Sequence, residues 1–490
     1  MLVVSPVRAF PQVKNLRTAA ELRARLAVLG VDLPFDDAVV PAPDGPLAQS
    51  LSVDGVPVGN RCTVLPMEGW DGTADGRPTD LVERRWQRFG VSGAKLVWGG
   101  EAVAVRADGR ANPHQLLLAD DSFVPGLALL RQTLLSHHEQ AHGRTDDLLV
   151  GLQLTHSGRF ARPTGEPKPV VPGTHPVLDC RLAPERAPLV LGPADLDELA
   201  EQFVAAAVRA AAAGFRFVDV KSCHGYLGHE LLTRCGADGE RLPFSERVAF
   251  LGAVLDGIRH AAPSLLLGVR LSVFDLLPWR AGADHVGEAE PWQPDVPYPY
   301  AFGGDGTGHG TDLTEAVELT RWLHGRGVSM LCITAGSPYY NPHIQRPAYF
   351  PPSDGYLPPE DPLVGVARLL AASATIKAAV PDMVVIGSGY SYLQDWWAHA
   401  GQAAVRLGHT DSVGLGRMML SYPGAPADAL AGRPMDRRLV CRTFSDCTTA
   451  PRHGIVSGCF PLDDFYKAMP ERAGLADVKA QIRRRRAGVG

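Results

Sequence analysis

Short, nearly unbroken apolar runs recur along the chain and alternate with longer stretches in which apolar residues return every three or four positions. The runs fall at 61–65, 94–98, 148–154, 217–221, 265–271, 330–333, 383–386 and 412–415. Continuous apolar runs of this length predict strands buried on both faces of a parallel sheet. The intervening segments predict helices at 80–89, 123–138, 195–213, 246–261, 313–324, 363–379 and 392–399. In two of them the spacing is clear: Leu196, Leu199 and Phe203 share one helical face, as do Val248, Leu251, Leu255 and Ile258. Gly214 and Gly325 are placed to stop two of these helices. Eight strands alternating with helices predict an α/β chain closed into a TIM (β/α)8 barrel rather than an open sheet.

Three segments interrupt the alternation without a helical period: 160–193 after the third strand, 274–311 after the fifth and 335–361 after the sixth. Each is rich in Pro, Gly or aromatic residues and follows a barrel strand. They are therefore expected on the C-terminal face as a cap over the site. The expected division is an N-terminal extension at 1–46, the barrel at 47–425 and a C-terminal extension at 426–490. No internal repeat is evident.

The 490 residues carry 45% apolar and 21% charged residues, enough for a large core. A net charge of -5 gives no reason to expect nucleic acid or an anionic membrane as partner. The run Arg483-Arg484-Arg485-Arg486 reads as a solvated tail. No run of about 18 apolar residues suggests a membrane span. Met1-Leu2-Val3-Val4-Ser5-Pro6 lacks the basic region and long apolar core of a signal peptide. Several of the eight cysteines sit in apolar runs, which fits reduced thiols and a cytoplasmic protein. A small-molecule substrate is the expected partner, with a homo-oligomer left open.

Two strand ends point to an anion. The seventh strand ends in Gly387-Ser388-Gly389 and the eighth in Gly416-Arg417. In barrels a phosphate often sits in the loops after strands seven and eight. Glycines let backbone N–H groups approach it, and Arg adds a forked charge. The fourth strand ends in Lys221-Ser222-Cys223-His224-Gly225-Tyr226. A strand end unwinding into a loop can bring Lys221, His224 and Tyr226 together at the barrel mouth. Arg270 ends the fifth strand on the same face. One motif competes: His138-Glu139-Gln140-Ala141-His142 fits the H-E-x-x-H zinc pattern. It ends the helix before the third strand, away from the mouth, where His complements the helix dipole. The Gly303–310 run follows no strand and supports no dinucleotide fold.

The stretch Asn60-Arg61-Cys62-Thr63-Val64-Leu65-Pro66-Met67, the run His224-Gly225-Tyr226-Leu227 and Gly414-Leu415-Gly416-Arg417, in this order, resemble the old yellow enzyme family of FMN-dependent oxidoreductases. The resemblance covers roughly 47–422. It implies FMN as cofactor and NAD(P)H as electron donor. Pro66, Met67 and Glu68 would lie against the flavin, with Ala102 as the second-strand contact beside Glu101. Gln153 would bond the pyrimidine side, and Arg270 would face the N1–C2 edge. Gly387, Ser388, Gly389, Gly416 and Arg417 would hold the phosphate. Tyr226 would deliver a proton to carbon, while His224 and the residue at Lys221 grip a carbonyl oxygen.

Two positions depart from that family. Where it carries His or Tyr, this chain has Lys221, a point charge suited to a carbonyl or a carboxylate. A bland alternative is that Lys221 pairs with Glu68. Glu68 itself stands where Thr or Cys is common. The tail resembles the iron–sulfur segment of longer relatives such as trimethylamine dehydrogenase and 2,4-dienoyl-CoA reductase. Cys447 and Cys459 keep the late spacing of that segment, but Cys441 lacks its close second cysteine. A cluster normally takes four thiolates, so a segment that has lost its cluster is expected, and no other metal. The reading is NAD(P)H-driven reduction of an activated C=C bond. Its rivals are a flavin dehydrogenase or demethylase acting in the oxidative direction, and a flavin-binding protein without turnover.

Overall fold

The computed structural model describes residues 10–182, 186–236, 238–293 and 295–486. The reading of Met1 to Pro6 lies outside them. Eight parallel strands close on themselves: β1 (Cys62–Val64), β2 (Leu96–Val97), β3 (Leu149–Thr155), β4 (Phe217–Ser222), β5 (Leu266–Ser272), β6 (Val328–Thr334), β7 (Val384–Gly387) and β8 (Ser412–Leu415). Each pairs with its successor, and β8 pairs back onto β1 through Gly414↔Thr63. This is the TIM barrel that the alternation predicts. Beyond β2 the chain turns at Gly99 and Gly100, both with positive φ, and pairs again with β3 over Ala102–Ala104.

Side-chain alternation along each strand sorts residues between two cores. On β4, Val218 and Val220 face the outer ring of helices, while Phe217, Asp219 and Lys221 alternate with them and so point into the barrel. The barrel floor is filled by Trp98, Phe217, Leu149, Met330 and Ile386. Two glycines make room for its large rings: a Cβ on Gly151 would strike the Phe217 ring at 2.3 Å, and one on Gly268 would crowd Trp98 at 3.1 Å. A hairpin, Leu51–Val53 paired with Val56–Val58, packs its apolar residues into the same cluster and plugs the floor. Apolar interior below and polar interior above is what positions the site.

The outer helices include α1 (Asp80–Gly90), α2 (Val124–His142), α3 (Pro193–Ala212), α4 (Ala249–Ala261), α5 (Thr314–Gly325), α6 (Pro362–Ala379) and α7 (Trp397–Arg406). Four sequence expectations need correction. The 246–261 helix is split at Val248, with a short turn Phe244–Arg247 before α4. The 392–399 helix is a 3-10 turn, Tyr390–Trp396, running into α7. The left-handed residue after α5 is Gly327 (φ 79°), not Gly325. The inserted segments hold short elements of their own, including the pairs Val170–Val171 with Leu189–Val190 and Trp279–Ala281 with Gly287–Ala289. At 18 residues and mean hydropathy 1.3, α6 is apolar enough to cross a membrane by composition, but here it packs on β6, β7 and α5.

The inserted segments and the C-terminal extension join over the C-terminal face. Tyr298 bonds His175 at 3.1 Å, and Arg181 pairs with Glu290. Arg346 donates to Thr448, the Tyr349 amide to Thr443, and the Ser353 amide to Thr449. The zinc-like motif is occupied otherwise. His138 and His142 each direct a ring nitrogen to a carbonyl at the end of α1, Gly90 O at 2.9 Å and Val91 O at 3.2 Å. Burial pushes His138 down to about 4.

Candidate active site

One cavity at the barrel mouth gathers all of the candidate catalytic and cofactor residues except Gly387. Pro66, Met67 and Glu68 line it from the β1 end, Ala102 from beyond β2, Gln153 from β3, and Lys221, His224 and Tyr226 from the β4 end. Arg270, Ser388, Gly389, Gly416 and Arg417 complete the set from β5, β7 and β8. Gly387, the last residue of β7, lies below, where a Cβ would press on Tyr390 and Thr410 at 3.1 to 3.3 Å. The inward alternation of the strands puts these residues together. Polar residues at inward positions near the C-terminal ends have nothing to face but the cavity.

A buried carboxylate organises the strand side. Asp219 accepts from the Trp98 indole N–H at 2.7 Å, from Gln153 Nε2 and from the Arg270 backbone amide at 2.6 Å. Burial raises Asp219, and these donors offset that by favouring the ionised form. With Gln153 Nε2 so engaged, the carbonyl oxygen of Gln153 is the atom left for a ligand. Arg270 forms no ion pair among the described residues, and its Nε has no partner. The cavity therefore holds a guanidinium free to meet an electron-rich edge.

The β4 end is a fixed turn. His224 takes a left-handed conformation (φ 68°), rare for a non-glycine residue. Its amide donates to Ser272 Oγ at 3.1 Å and its carbonyl accepts from Ser337 Oγ at 2.8 Å. Gly225 follows, where a Cβ would meet the Tyr340 ring at 2.7 Å. His224 Nε2 lies 3.3 Å from Thr334 Oγ1 and 3.1 Å from the Gln345 amide. Burial, then Arg270 and Lys221, hold the imidazole well below its usual range, so it is neutral at pH 7. Lys221 Nζ sits 3.9 Å from the centre of the Tyr226 ring, a cation–π contact. No carboxylate of the described residues comes within 4.0 Å of it, which sets aside the bland alternative of a direct ion pair with Glu68. Burial depresses Lys221, and Cys223 and Glu68 act against that at longer range. Tyr226 Oη lies 3.0 Å from Tyr339 Oη, and burial pushes the Tyr226 phenol well above its ordinary value.

Glu68 is half-buried in the cavity wall and accepts from Asn112 Nδ2 at 2.7 Å. Burial pushes it up to about 7, against the pull of Lys221 and Arg85. Behind it, Arg85 binds Asp71 through two bonds of 2.7 and 2.9 Å and also clasps Glu101. Glu101 is thus committed to a buried ion network, not to the cavity.

Two guanidiniums share the cavity wall. Arg417 donates to the Pro347 carbonyl at 2.9 Å, and its Nη1 is shielded from solvent without a partner. Arg346 donates one N–H to Thr448 Oγ1 at 2.7 Å, leaving Nε and Nη2 in the same condition. Neither meets a carboxylate among the described residues. Desolvation, then the neighbouring Arg417, bring Arg346 down to about 10. Ser391 Oγ accepts from the Gly416 and Met418 amides at 3.3 Å each and shapes the loop between them. Two adjacent guanidiniums with unspent buried donors suit a dianion.

Arg346, Tyr339 and Ser391 were not foreseen from the sequence, nor was the entry of Cys447, Thr448, Pro451 and Arg452 of the C-terminal extension into the wall. Arg346 stood in a segment read as a cap, and a lone Arg in a loop carries no pattern. The expected cap is realised by the β6 loop and the C-terminal extension. The segments after β3 and β5 back that wall without lining the cavity. Cys441, Cys447 and Cys459 are unpaired, as are the other five cysteines. Among the described residues no group of three or more His, Cys, Asp or Glu is placed to hold a metal ion.

Residues 47–290 match the profile of the NADH:flavin oxidoreductase / NADH oxidase family. An NADPH dehydrogenase of Geobacillus sp. (strain WCH70) is 29% identical over 231 residues, covering 46% of this chain and 63% of its own length. An NADPH dehydrogenase of Listeria welshimeri is 27% identical over 281 residues, covering 56% of this chain and 69% of its own. The chain thus spans under two thirds of the Geobacillus relative. Among solved structures, a 2-naphthoyl-CoA reductase complex superposes with a TM-score of 0.63 at 17% identity, covering 88% of this chain and 58% of that one. The old yellow enzyme homologue from Zymomonas mobilis gives 0.53 at 18% identity, covering 78% and 91%. Both share the barrel fold.

Proposed function

The chain belongs to the NADH:flavin oxidoreductase / NADH oxidase family, and on that footing we propose that it is an FMN-dependent oxidoreductase reducing an activated C=C bond at the expense of NAD(P)H. The observation that carries this reading is that one cavity is lined both by the unpaired donors of Arg346 and Arg417 and by Lys221, His224 and Tyr226. The first pair suits the phosphate of FMN, and the second group suits a carbonyl or carboxylate.

The residues present fit the cofactor. The buried N–H groups of Arg346 and Arg417 lack partners that a phosphate would supply. The Gln153 carbonyl oxygen can accept from the flavin N3–H, and the Arg270 guanidinium favours an electron-rich N1–C2 edge. FMN supplies hydride chemistry when bound. The chain does the rest. Lys221 Nζ and the His224 ring polarise the substrate oxygen, so the β-carbon becomes electron-poor. Neutral His224 does so as a hydrogen-bond donor, Lys221 as a charge. Tyr226 Oη holds the proton that goes to the α-carbon. The aromatic wall of Tyr226 and Tyr339 keeps bulk water from the reacting carbons. Cys441, Cys447 and Cys459 are read as remnants of a cluster segment without the fourth thiolate. Stoichiometric iron and sulfide in anaerobically purified protein would overturn that part.

Anaerobic photometry tests the whole. The purified protein should be yellow, release FMN, be bleached by NAD(P)H, and regain colour with an enone or enoate. Tyr226→Phe should leave bleaching intact and slow recovery by on the order of 10²–10⁴-fold. Protein that never takes up FMN would sink the proposal.

A further inference from the structure

The inner cavity does not end at the substrate residues. A second, outer cavity adjoins it, and Trp70, Tyr339, Pro451 and Arg452 line both. Tyr226 is 3% exposed, and its hydroxyl has one hydrogen-bond partner among the described residues, Tyr339 Oη at 3.0 Å. Tyr339 is half-buried and stands in the partition, so its hydroxyl touches the enclosed phenol while its residue borders the outer space. The Tyr339 ring is held firmly. It stacks on Phe160 at 4.1 Å with an 8° tilt, and its amide donates to Ser337 Oγ at 3.2 Å.

Burial raises both phenols. For Tyr339 the hydrogen bond to Tyr226 and the cations Arg452 and Arg162 pull back down, whereas none of the five largest influences on Tyr226 does so. A phenolate formed on Tyr226 would have Tyr339 Oη, 3.0 Å away, as its hydrogen-bond partner among the described residues, so Tyr339 is the group placed to return its proton.

We propose that Tyr339 is a proton-relay residue that recharges Tyr226 from water in the outer cavity. This rests on the reading that Tyr226 protonates the substrate. The steps balance as follows. The Tyr226 Oη–H bond breaks as its proton joins the substrate α-carbon, leaving a phenolate. The Tyr339 Oη–H proton then crosses the 3.0 Å hydrogen bond. A water of the outer cavity gives Tyr339 a proton, and the hydroxide left behind is neutralised by buffer. No electron moves along the relay. Tyr339 acts through Tyr226 and is a positioning residue, not a catalytic one.

Tyr339→Phe keeps the stacked ring and removes only the relay atom. Prereduced holoenzyme is mixed anaerobically with 2-cyclohexenone or trans-2-hexenoate, whichever reoxidises wild type faster, and first and later turnovers are followed. The first reoxidation should stay within about twofold of wild type, because Tyr226 still carries its proton. Steady-state turnover should fall by roughly tenfold or more, with a larger solvent isotope effect, and rise with added imidazole. Equal slowing of first and later turnovers would make Tyr339 a packing residue and overturn the relay. So would unchanged turnover with an unchanged isotope effect. Tyr226→Phe is the control: if it does not slow the first reoxidation, or if neither probe reoxidises wild type, the underlying reading fails and the relay with it.

Discussion

The ammonium of Lys221 lies 3.9 Å from the centre of the Tyr226 ring and meets no carboxylate within 4.0 Å among the described residues. A lysine enclosed this way is neutralised by neither an ion pair nor bulk water. Burial therefore works against its charged form, and a carboxylate binding beside Tyr226 would supply the close counter-charge that restores it. Lys221→Ala should therefore weaken binding of an enoate by about 1.5–3 kcal/mol, a rise in KM of roughly 10- to 150-fold. A neutral enone should lose less. Lys221→His keeps a donor and should recover the enone but not the enoate. Steady-state kinetics on the two probes check this, and equal losses for both would remove carboxylate recognition from Lys221.

Arg346 and Arg417 should act as a pair. Removing either leaves one guanidinium for a dianion, and removing both leaves none. Arg346→Ala and Arg417→Ala should each weaken FMN retention by about 1.5–3 kcal/mol. The fluorescence of released flavin during dilution measures it. If Arg346→Ala retains FMN as wild type does, its unpaired donors serve something else.

Most of the barrel was legible in the sequence because strands buried on both faces leave continuous apolar runs. Each of the eight observed strands overlaps a run, and Ser412–Leu415 coincides with it. The site residues on strand ends were legible for the same reason: Lys221 and Arg270 interrupt apolar runs where a charge has no other excuse. Asp219 interrupts one too, but a single acid between Val218 and Val220 reads equally well as a strand facing solvent. Tyr339 and Arg346 were not legible. They sit in an irregular loop, where position is set by the packing of the C-terminal extension and not by any local period. The split of the helix at Val248 was hidden because the apolar spacing continues across it.

Glu68 should make the site pH-sensitive. Burial raises it from the ordinary carboxylate range to about 7. An acid raised on folding contributes stability below its unfolded pKa, and that contribution is lost as pH rises from about 4.5 through 7. Glu68→Gln should thus gain on wild type above pH 7, by on the order of 3 kcal/mol at most. The bound flavin should respond as well. An ionised Glu68 puts a negative charge beside it and disfavours the electron-rich reduced form. The wild-type midpoint potential should fall more steeply across pH 6–8 than that of Glu68→Gln. Parallel curves for the two would place Glu68 out of electrostatic reach of the flavin.

Asp219 is fully buried, and its substitution should reach the cofactor through Gln153. Its carboxylate takes the Trp98 indole and Gln153 Nε2 on one oxygen and the Arg270 amide on the other. Asp219→Asn can face its carbonyl to Trp98 and Gln153, but its NH2 then opposes the Arg270 N–H. That leaves one buried donor unsatisfied, at about 1–3 kcal/mol. The opposite rotamer puts the NH2 against two donors, and Gln153 would have to turn its own carbonyl toward the substituted amide. It would then offer an NH2 to the flavin N3–H, donor against donor. Either way stability falls, and in the second case FMN affinity falls with it. Asp219→Ala orphans all three donors and should cost more than either. Urea unfolding of the flavin-free protein isolates the first effect, and flavin titration of the folded variant reads the second. Unchanged stability in Asp219→Ala would mean that Trp98, Gln153 and Arg270 find other partners, and that the carboxylate does not hold the strand side of the site together.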